Sequence, residues 1–584
     1  MRVSCKGFLM FLRRLISSFT LGLWLLFTGY AQQAGPDGAA SREKQAEQKA
    51  LEQKAFALLE EIIAQAPTLK LVENRVMIQA TAAGLIWKQD EKQARTVFKA
   101  AIASLAEITS AMDQSDPQHD GAAQTISEMR LNLLDIITQF DPQLALDFLH
   151  ATRQPSPPRR HSSYSPPDIE IQLEGRLAGL IATKDPQRAL QLARASLAKG
   201  LSYELINTLS QLRSSDKAAA ATLSQEIIAK LRAENRMTPD VSGIAFSLAH
   251  MLRSQEGDER LFSELLNLLV GSALNTSLSS NVNQAELHLA QNLLSQLRPL
   301  MSEIEKYAPS RDAAVRRKFA ELDRVSDLYN RSLNDLHKLT PDRREEEALE
   351  AAEKTPPESR GPLDHEYQQL IKKVAGQGEY DRARQIANSE AMDPIQRKEM
   401  LEEIDRQALW QSINQGRLNE ARQMAMKLKS GDERVSALIQ LAGITSNQND
   451  PESARQLLAE AFDTIAGKAA DYQRLQSQLQ LAQAYAPFDR DRSFEIMTQI
   501  INQLNELIAA VAVLDGFEIN YLKNGEWAPS GGGALSNMIV ACNQQIAALA
   551  RVDFDSAKSL ADRWQRNEIR LRGRLMIAQT VLSG

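Results

Sequence analysis

Residues whose type and spacing could do chemistry are few in this chain. No two of the seven histidines stand at alternate positions or one helical turn apart, so the sequence offers no paired helical metal ligands. Asp489, Asp491 and Ser493 begin like a calcium-binding loop, but Phe494 and Ile500 occupy the positions that need glycine and a bidentate glutamate. We interpret Asp489 as a helix cap, and the sequence predicts no metal or cofactor.

Nucleophile and general-acid motifs are also incomplete. Ser196 and Lys199 form an SxxK pair of the kind found in penicillin-recognising enzymes, but the lysine motif that should accompany it belongs on a β-strand, which the sequence does not predict. Glu358 could be the acid of a lytic transglycosylase, yet it lies in a proline-rich stretch. Such a stretch cannot supply the desolvated pocket that raises a carboxyl pKa. These absences favour a protein that is not an enzyme.

One candidate partner-binding surface is an insertion near residues 516–536, which interrupts the repeats described below. It contains Tyr521, Lys523 and Trp527. Long loops in compact folds tend to have a function, so we expect this insertion to contact a partner. The alternative is a surface loop without a role.

A basic stripe is the second candidate surface. Its members lie four residues apart on one helix face, with one neighbour just before them. On an acidic chain such a stripe could meet an acidic partner, an anionic polymer or lipid headgroups, whereas the alternative is a solvated face neutralised by Asp562 and Glu568. The stripe consists of Arg566, Arg570 and Arg574, with Arg563 adjacent.

The N-terminus has the pattern of a signal peptide. Arg2, Lys6, Arg13 and Arg14 precede an apolar run at 15–27, which is shorter than the roughly 20 residues of a membrane span. We expect cleavage after Ala31 and a periplasmic or extracellular mature chain. An uncleaved leader is the alternative, and it is the only membrane contact that the sequence predicts.

Composition narrows the class of partner. Without the four basic residues of the leader, 64 basic residues face 74 acidic ones, and aromatic residues make up 5% of the chain. A nucleic-acid partner is therefore not expected, because it would need a basic footprint or stacking platforms. Beyond the leader Cys542 is the only cysteine, so the mature chain has no intramolecular disulfide.

Apolar residues recur at three-four spacing almost throughout, which predicts an all-α fold. Proline-rich and charged stretches divide the helical sequence into blocks. The predicted order is signal peptide 1–31, disordered tether 32–41, helical block 42–152, Pro/Ser-rich linker 153–168, helical block 169–339, charged proline-containing linker 340–362 and helical block 363–584.

The helical blocks contain an internal repeat. Ala178-Gly179-Leu180-Ile181 is followed by Asp185-Pro186 and Ala189, and Ala442-Gly443-Ile444 is followed by Asp450-Pro451 and Ala454. We predict one helical hairpin per copy: Asp caps the second helix, Pro fits its first turn, and the small residue four positions on allows close packing. Further copies place the capping residue at Asp90, Asp141, Asp489 and Asp553.

The last block resembles a degenerate tetratricopeptide repeat array. Gln377-Gly378-Glu379-Tyr380-Asp381-Arg382-Ala383 and Gln415-Gly416-Arg417-Leu418-Asn419-Glu420-Ala421 are similar to the central turn of that repeat, and the resemblance covers about residues 364–500. Ile371 and Ala442 depart from it where the family has glycine. The resemblance implies an α-solenoid of stacked antiparallel hairpins that binds peptides or proteins on a concave surface.

The combined expectation is an exported, non-enzymatic binding or scaffold protein with a protein or peptide partner. Two alternatives stay open: an enzyme acting on envelope polymers through a site assembled from distant residues, and a purely structural envelope component.

Overall fold

The computed structural model confirms the all-α prediction. Within the residues that it describes, the chain is helical apart from turns, two short 3-10 segments and one two-stranded β-hairpin. The predicted leader and nearly all of both predicted linkers lie outside those residues, so the block boundaries stay predictions. The described residues are 38–111, 120–154, 169–234, 237–253, 257–276, 284–334, 364–388, 394–517, 521–528 and 533–583.

Twenty-five α-helices in the described residues account for the fold. The first fourteen are α1 (Gly38–Gln65), α2 (Val72–Ile86), α3 (Glu91–Ala111), α4 (Asp120–Phe140), α5 (Pro142–Ala151), α6 (Ile169–Ile181), α7 (Pro186–Lys199), α8 (Tyr203–Ser215), α9 (Lys217–Ala233), α10 (Pro239–Arg253), α11 (Glu259–Leu274), α12 (Gln284–Leu297), α13 (Met301–Tyr307) and α14 (Pro309–Asn334). The others are α15 (Asp364–Gly376), α16 (Tyr380–Ala387), α17 (Pro394–Asn414), α18 (Leu418–Lys427), α19 (Gly431–Asn447), α20 (Pro451–Ile465), α21 (Tyr472–Tyr485), α22 (Arg490–Leu514), α23 (Gly533–Leu549), α24 (Phe554–Asp562) and α25 (Asn567–Leu582). The strands are β1 (Leu522–Lys523) and β2 (Glu526–Trp527).

Two compact units divide the chain, Met1–Ala57 and Leu58–Gly584. Of the first unit the structure describes the beginning of α1, which starts at Gly38, inside the predicted tether 32–41. The helix starts early because Ala39 and Ala40 are strong helix formers ahead of a run rich in Glu, Gln and Lys. All that follows concerns the second unit.

The predicted aspartate caps are all present. In each case the carboxylate accepts a hydrogen bond from a backbone N–H two or three residues on, at 2.8 to 3.0 Å. These bonds satisfy donors that the first helical turn leaves without partners, so they fix where each second helix begins. The six residues are Asp90, Asp141, Asp185, Asp450, Asp489 and Asp553.

The predicted small residues lie at the tightest points of the hairpins. Every one of them is fully buried, and the hydroxyl of Ser493 donates to the carbonyl of Ala482 at 2.7 Å. A larger side chain at these points would push the two helices apart, because interiors are close-packed. The residues are Ala94, Ala145, Ala189, Ala383, Ala421, Ala454, Ser493 and Ala557.

Glycine forms the turn in the two hairpins on which the tetratricopeptide resemblance is based. Gly378 and Gly416 have φ values of 85° and 71°, in the left-handed region. The next N–H in each case donates back to the preceding helix, from Glu379 to Val374 and from Arg417 to Ser412. This is the glycine-terminated helix end that sends the chain directly into a second helix.

Consecutive hairpins stack through their first helices. In the N-terminal half α4 packs on α2, α6 on α4, α8 on α6, α10 on α8 and α12 on α10, and in the C-terminal half the same order runs from α15 through α17, α19, α21 and α23 to α25. The last of these helices, α25, packs against α2. In the order in which they pack, the C-terminal hairpins therefore come first and the N-terminal hairpins follow. We call this continuous stack of hairpins a single helical series.

Ion pairs connect neighbouring hairpins along this series. Arg194 on α7 pairs with Glu226 on α9 at 2.7 Å, and Lys468, in the loop after α20, pairs with Glu506 on α22 at 2.5 Å. These exposed pairs contribute little stability individually. The pair of Arg130 and Glu170 differs, because both side chains are buried and two hydrogen bonds of 2.6 and 3.0 Å join them. A buried pair of this kind fixes the register of α4 against α6.

We predict that Asp553→Ala lowers the free energy of unfolding by about 1 kcal/mol, the usual value of such a cap. The backbone N–H and the hydroxyl of Ser556 hold the pKa of Asp553 below its ordinary value. The stabilisation is therefore present above the ordinary aspartate pKa and is lost as the pH falls through the lowered pKa. Urea unfolding followed by circular dichroism at neutral and at acidic pH measures both effects.

Asp553→Asn is the matched control, since it keeps the acceptor but removes the titration. An alanine variant that is as stable as the wild type at neutral pH would contradict this account of the cap.

Candidate functional site

The insertion near 516–536 contains a β-hairpin. Leu522 pairs with Trp527 and Lys523 with Glu526, and the two-residue turn between the strands is Asn524-Gly525, with φ values of 52° and 76°. Asn-Gly adopts this left-handed turn readily, which is why so short a hairpin forms. The same dipeptide was the local signal that the sequence analysis missed when it predicted a loop, and α23 begins within the segment, at Gly533.

Two predicted aromatic residues stabilise the base of the hairpin. Trp527 is 5% exposed, and its ring stacks on Tyr521 with 5.0 Å between centroids and 13° between planes. The N–H of Ala528 donates to the carbonyl of Tyr521 at 3.1 Å. Gly533 is required beside them, because a Cβ at that position would lie 2.6 Å from the Tyr521 hydroxyl. Both aromatic rings are therefore used within the fold.

Glu526 caps a helix that lies more than four hundred residues away in the sequence. Its carboxylate accepts hydrogen bonds from the backbone N–H groups of Lys70 at 2.7 Å and Leu71 at 3.0 Å, and from the side-chain amide of Asn74 at 3.3 Å. Leu71 has no side chain that could cap α2 itself. A carboxylate at a helix N-terminus also interacts favourably with the helix dipole.

The other side of the hairpin is bonded to α25. Glu568 accepts a hydrogen bond from the N–H of Trp527 at 2.8 Å, and Arg566 donates to the carbonyl of Gly525 at 2.8 Å. The amide of Asn74 on α2 donates to the carbonyl of Trp527 at 3.0 Å. The hairpin is thus held between α2 and α25. We call this arrangement, comprising residues 521–528 with the ends of α2 and α25, the junction.

Charged side chains join α1 to its neighbouring helices beside the junction. Arg574 donates to Asp562 at 2.5 Å and lies 3.6 Å from Glu61, which also lies 3.4 Å from Lys558. Glu60, the neighbour of Glu61, accepts a hydrogen bond from Gln93 on α3 at 2.9 Å. The end of α1, residues 58–65, therefore bridges α24 and α25 on one side and α3 on the other.

Most of the predicted partner-binding residues have partners inside the protein. Arg566 and Arg574 pair with Glu568 and Asp562, the neutralising residues that the sequence analysis gave as the alternative, and Arg570 donates to Asn567 at 2.9 Å. Arg566 stands at the N-cap of α25, so the stripe lies only partly on the helix.

Two predicted residues face solvent. Lys523 is 47% exposed and lies 3.9 Å from Glu73. Arg563 is exposed, and its guanidinium has no hydrogen bond or ion pair within the residues that the structure describes. A binding role for the seven residues remains a prediction.

Arg572 is the residue that the sequence analysis missed. It lies on α25 one turn beyond Glu568, off the predicted stripe, and is partly buried. Its guanidinium has no hydrogen bond or ion pair to any residue that the structure describes. Burial lowers the pKa of Arg572, while the nearby charge of Glu568 raises it. An arginine in this situation is a candidate for pairing with an incoming anion.

Comparisons with known proteins give no family. No protein-family model and no curated protein match the chain. Among solved structures it is similar to a circular tandem repeat protein with novel repeat topology (12% identity, 92% of this chain and 96% of that one, TM-score 0.14). The NOT1 superfamily homology domain from Chaetomium thermophilum also matches (12% identity, 88% and 98%, TM-score 0.18). So does SYS-1 (10% identity, 90% and 99%, TM-score 0.17). These superpositions are too loose to support an argument about fold or function.

We predict that Glu526→Ala loosens the junction. Two backbone N–H groups and the Asn74 amide lose their acceptor, so the free energy of unfolding should fall by about 2 kcal/mol, the range for hydrogen bonds to a charged group. Amide hydrogen exchange at Lys70, Leu71 and Trp527 should become faster.

Glu526→Gln is the matched control and should give a smaller effect, because it keeps one acceptor but removes the charge. Unchanged exchange at Leu71 in the alanine variant would show that Glu526 does not cap α2.

Proposed function

We propose that the protein is a non-enzymatic, exported scaffold that binds a protein or peptide partner on the exposed faces of its first helices. The observation that supports it most directly is Arg572, a partly buried guanidinium that has no hydrogen bond or ion pair to the described part of the chain. The signal-peptide pattern at residues 1–31, outside the described residues, supports export.

Exposed side chains on three neighbouring first helices surround the position of Arg572. Each of these helices buries its remaining faces in the series and leaves one strip partly or fully accessible. Val540, at 39% exposure, contributes apolar surface to this region. The strips consist of Asn537, Val540 and Gln544 on α23, Arg572, Met576 and Gln579 on α25, and Met77, Thr81 and Leu85 on α2.

The three strips lie at about the same position along the axes of the stacked helices. The helices pack side by side, and a Cβ on Gly573 would lie 2.7 Å from the side-chain oxygen of Asn543, which places the middle of α25 beside the middle of α23. The hydrogen bond between Asn567 and Thr68, at 3.4 Å, places the start of α25 beside the segment that leads into α2. Arg572 is therefore flanked by strips with apolar members on both sides.

This surface suits a peptide that carries a carboxylate among apolar side chains. The negative charge of Glu568 acts on Arg572, but its carboxylate already accepts a hydrogen bond from the N–H of Trp527. A partner carboxylate could form a bidentate pair with the guanidinium, and methionine and valine would supply adaptable apolar contacts. Arginine and methionine are both enriched in protein interfaces.

We predict that Arg572→Gln weakens partner binding by about 10- to 100-fold, the effect of losing one charge-assisted hydrogen-bonded pair. The measurement is quantitative capture of proteins from an envelope extract on the immobilised chain, followed by titration of the captured protein. Arg260→Gln is the matched control, since Arg260 is exposed and lies on α11, away from the strips and outside the predicted binding residues.

A captured partner whose affinity is the same for Arg572→Gln and the wild type would contradict the role of Arg572. No reproducible partner, or release of fragments from cell-wall material, would contradict the scaffold itself. Release of cell-wall fragments would favour the enzymatic alternative.

A further inference from the structure

The helix α22 extends beyond the hairpin that it forms with α21. It contains 25 residues, whereas α21 contains 14. Its buried residues begin at Ser493 and end at Ile508, so the six residues 509–514 form an overhang of roughly 9 Å at 1.5 Å per residue. Within the described residues, no side chain of the overhang is fully buried.

Apolar side chains cover this overhang. Residues 507–514 include no charged side chain, and Val513 is 76% exposed. Leu514 is 44% exposed and Phe517 is 86% exposed, the largest exposed fraction among the big apolar residues of the described chain. Contiguous exposed apolar residues of this kind mark sites of interaction with a protein or a membrane, rather than ordinary surface.

The overhang is held in a fixed orientation by the turn that follows it. Gly516 has a φ of 83°, and the N–H of Phe517 donates to the carbonyl of Leu514 at 3.0 Å, so the backbone turns back at the end of the helix. The carboxylate of Asp515 accepts a hydrogen bond from the N–H of Leu522 at 3.1 Å. The helix end is therefore anchored to the β-hairpin of the junction.

The small area of the overhang favours a lipid surface over a second copy of the chain. Complete burial of the three exposed side chains would cover on the order of 400 Å², about half of what one partner buries in a stable protein interface. Insertion to the level of the headgroups needs only a few large apolar side chains. Lys523 on the adjacent hairpin is 47% exposed and only loosely paired with Glu73, at 3.9 Å, so its ammonium group would be available to a lipid headgroup.

The rest of α22 is not available for contact with a membrane. By length and composition alone α22 could cross a membrane, the one described helix that passes this test. Residues between Ser493 and Ile508, however, pack inside the hairpin stack. We propose that the end of α22, residues 509–517, inserts into the boundary between headgroups and acyl chains of a lipid bilayer. This contact is independent of the peptide-binding surface.

Vesicle flotation of the full chain tests this proposal. The probe is phosphatidylcholine vesicles with and without phosphatidylglycerol. The double substitution Val513→Ser with Phe517→Ser should reduce the bound fraction at least tenfold, whereas Tyr203→Ser, at a residue that is 50% exposed elsewhere, should leave it unchanged. Binding that needs phosphatidylglycerol supports a contribution of Lys523 to the same contact.

A second measurement removes any contribution of an uncleaved leader. In Phe517→Trp the added fluorescence, after subtraction of the five native tryptophans, should be quenched by brominated phosphatidylcholine. Absence of quenching would overturn the proposal. So would a dimer in solution that dissociates in the Val513→Ser, Phe517→Ser variant, because it would show that a second copy covers the overhang.

Discussion

The structure depends on the hydrogen bonds that the Glu526 carboxylate accepts at the beginning of α2. Glu526 is 8% exposed and replaces the cap that Leu71 cannot provide, while the next residue, Trp527, is held by Glu568 on α25. Because both carboxylates hold one β-hairpin, the last helix of the chain, α25, is fixed beside α2, the first helix of the N-terminal stack. Together with the direct packing of α25 on α2 and the hydrogen bond between Asn567 and Thr68, this contact joins the C-terminal stack of hairpins to the N-terminal one.

Local features of the fold could be predicted from the sequence, and the junction could not. A capping aspartate and a small residue four positions later act within a single hairpin. The pair of Asp185 and Ala189, and likewise the pair of Asp450 and Ala454, therefore predicts the hairpin in which it lies. Glu526 and Lys70 are 456 residues apart, and nothing in the sequence near either residue indicates the other. Asn524-Gly525 did carry a local hairpin signal.

The junction also explains why the predicted binding residues and the proposed ones differ. A stripe of arginines looks the same in sequence whether its partners are internal or external. Arg566 and Arg574 have internal carboxylate partners. Arg572, which does not fall on the four-residue spacing of the predicted stripe, has no hydrogen-bond or ion-pair partner among the described residues. Burial and pairing, which depend on tertiary contacts, therefore decide which cation is available to a ligand. Likewise, the exposed apolar end of α22 can be recognised only in the structure, where the helix continues to Leu514, beyond its last buried residue, Ile508.

The most direct test of the joined series is a disulfide across the junction. Thr68→Cys and Asn567→Cys place sulfur atoms where side chains now meet at 3.4 Å, and the native Cys542 is fully buried. A protease site introduced between residues 335 and 363 then allows the chain to be cut. We expect the oxidised, cut protein to migrate as one species on a non-reducing gel and as two after reduction. Two separate fragments before reduction, in the presence of an efficient oxidant, would contradict the contact between α25 and α2.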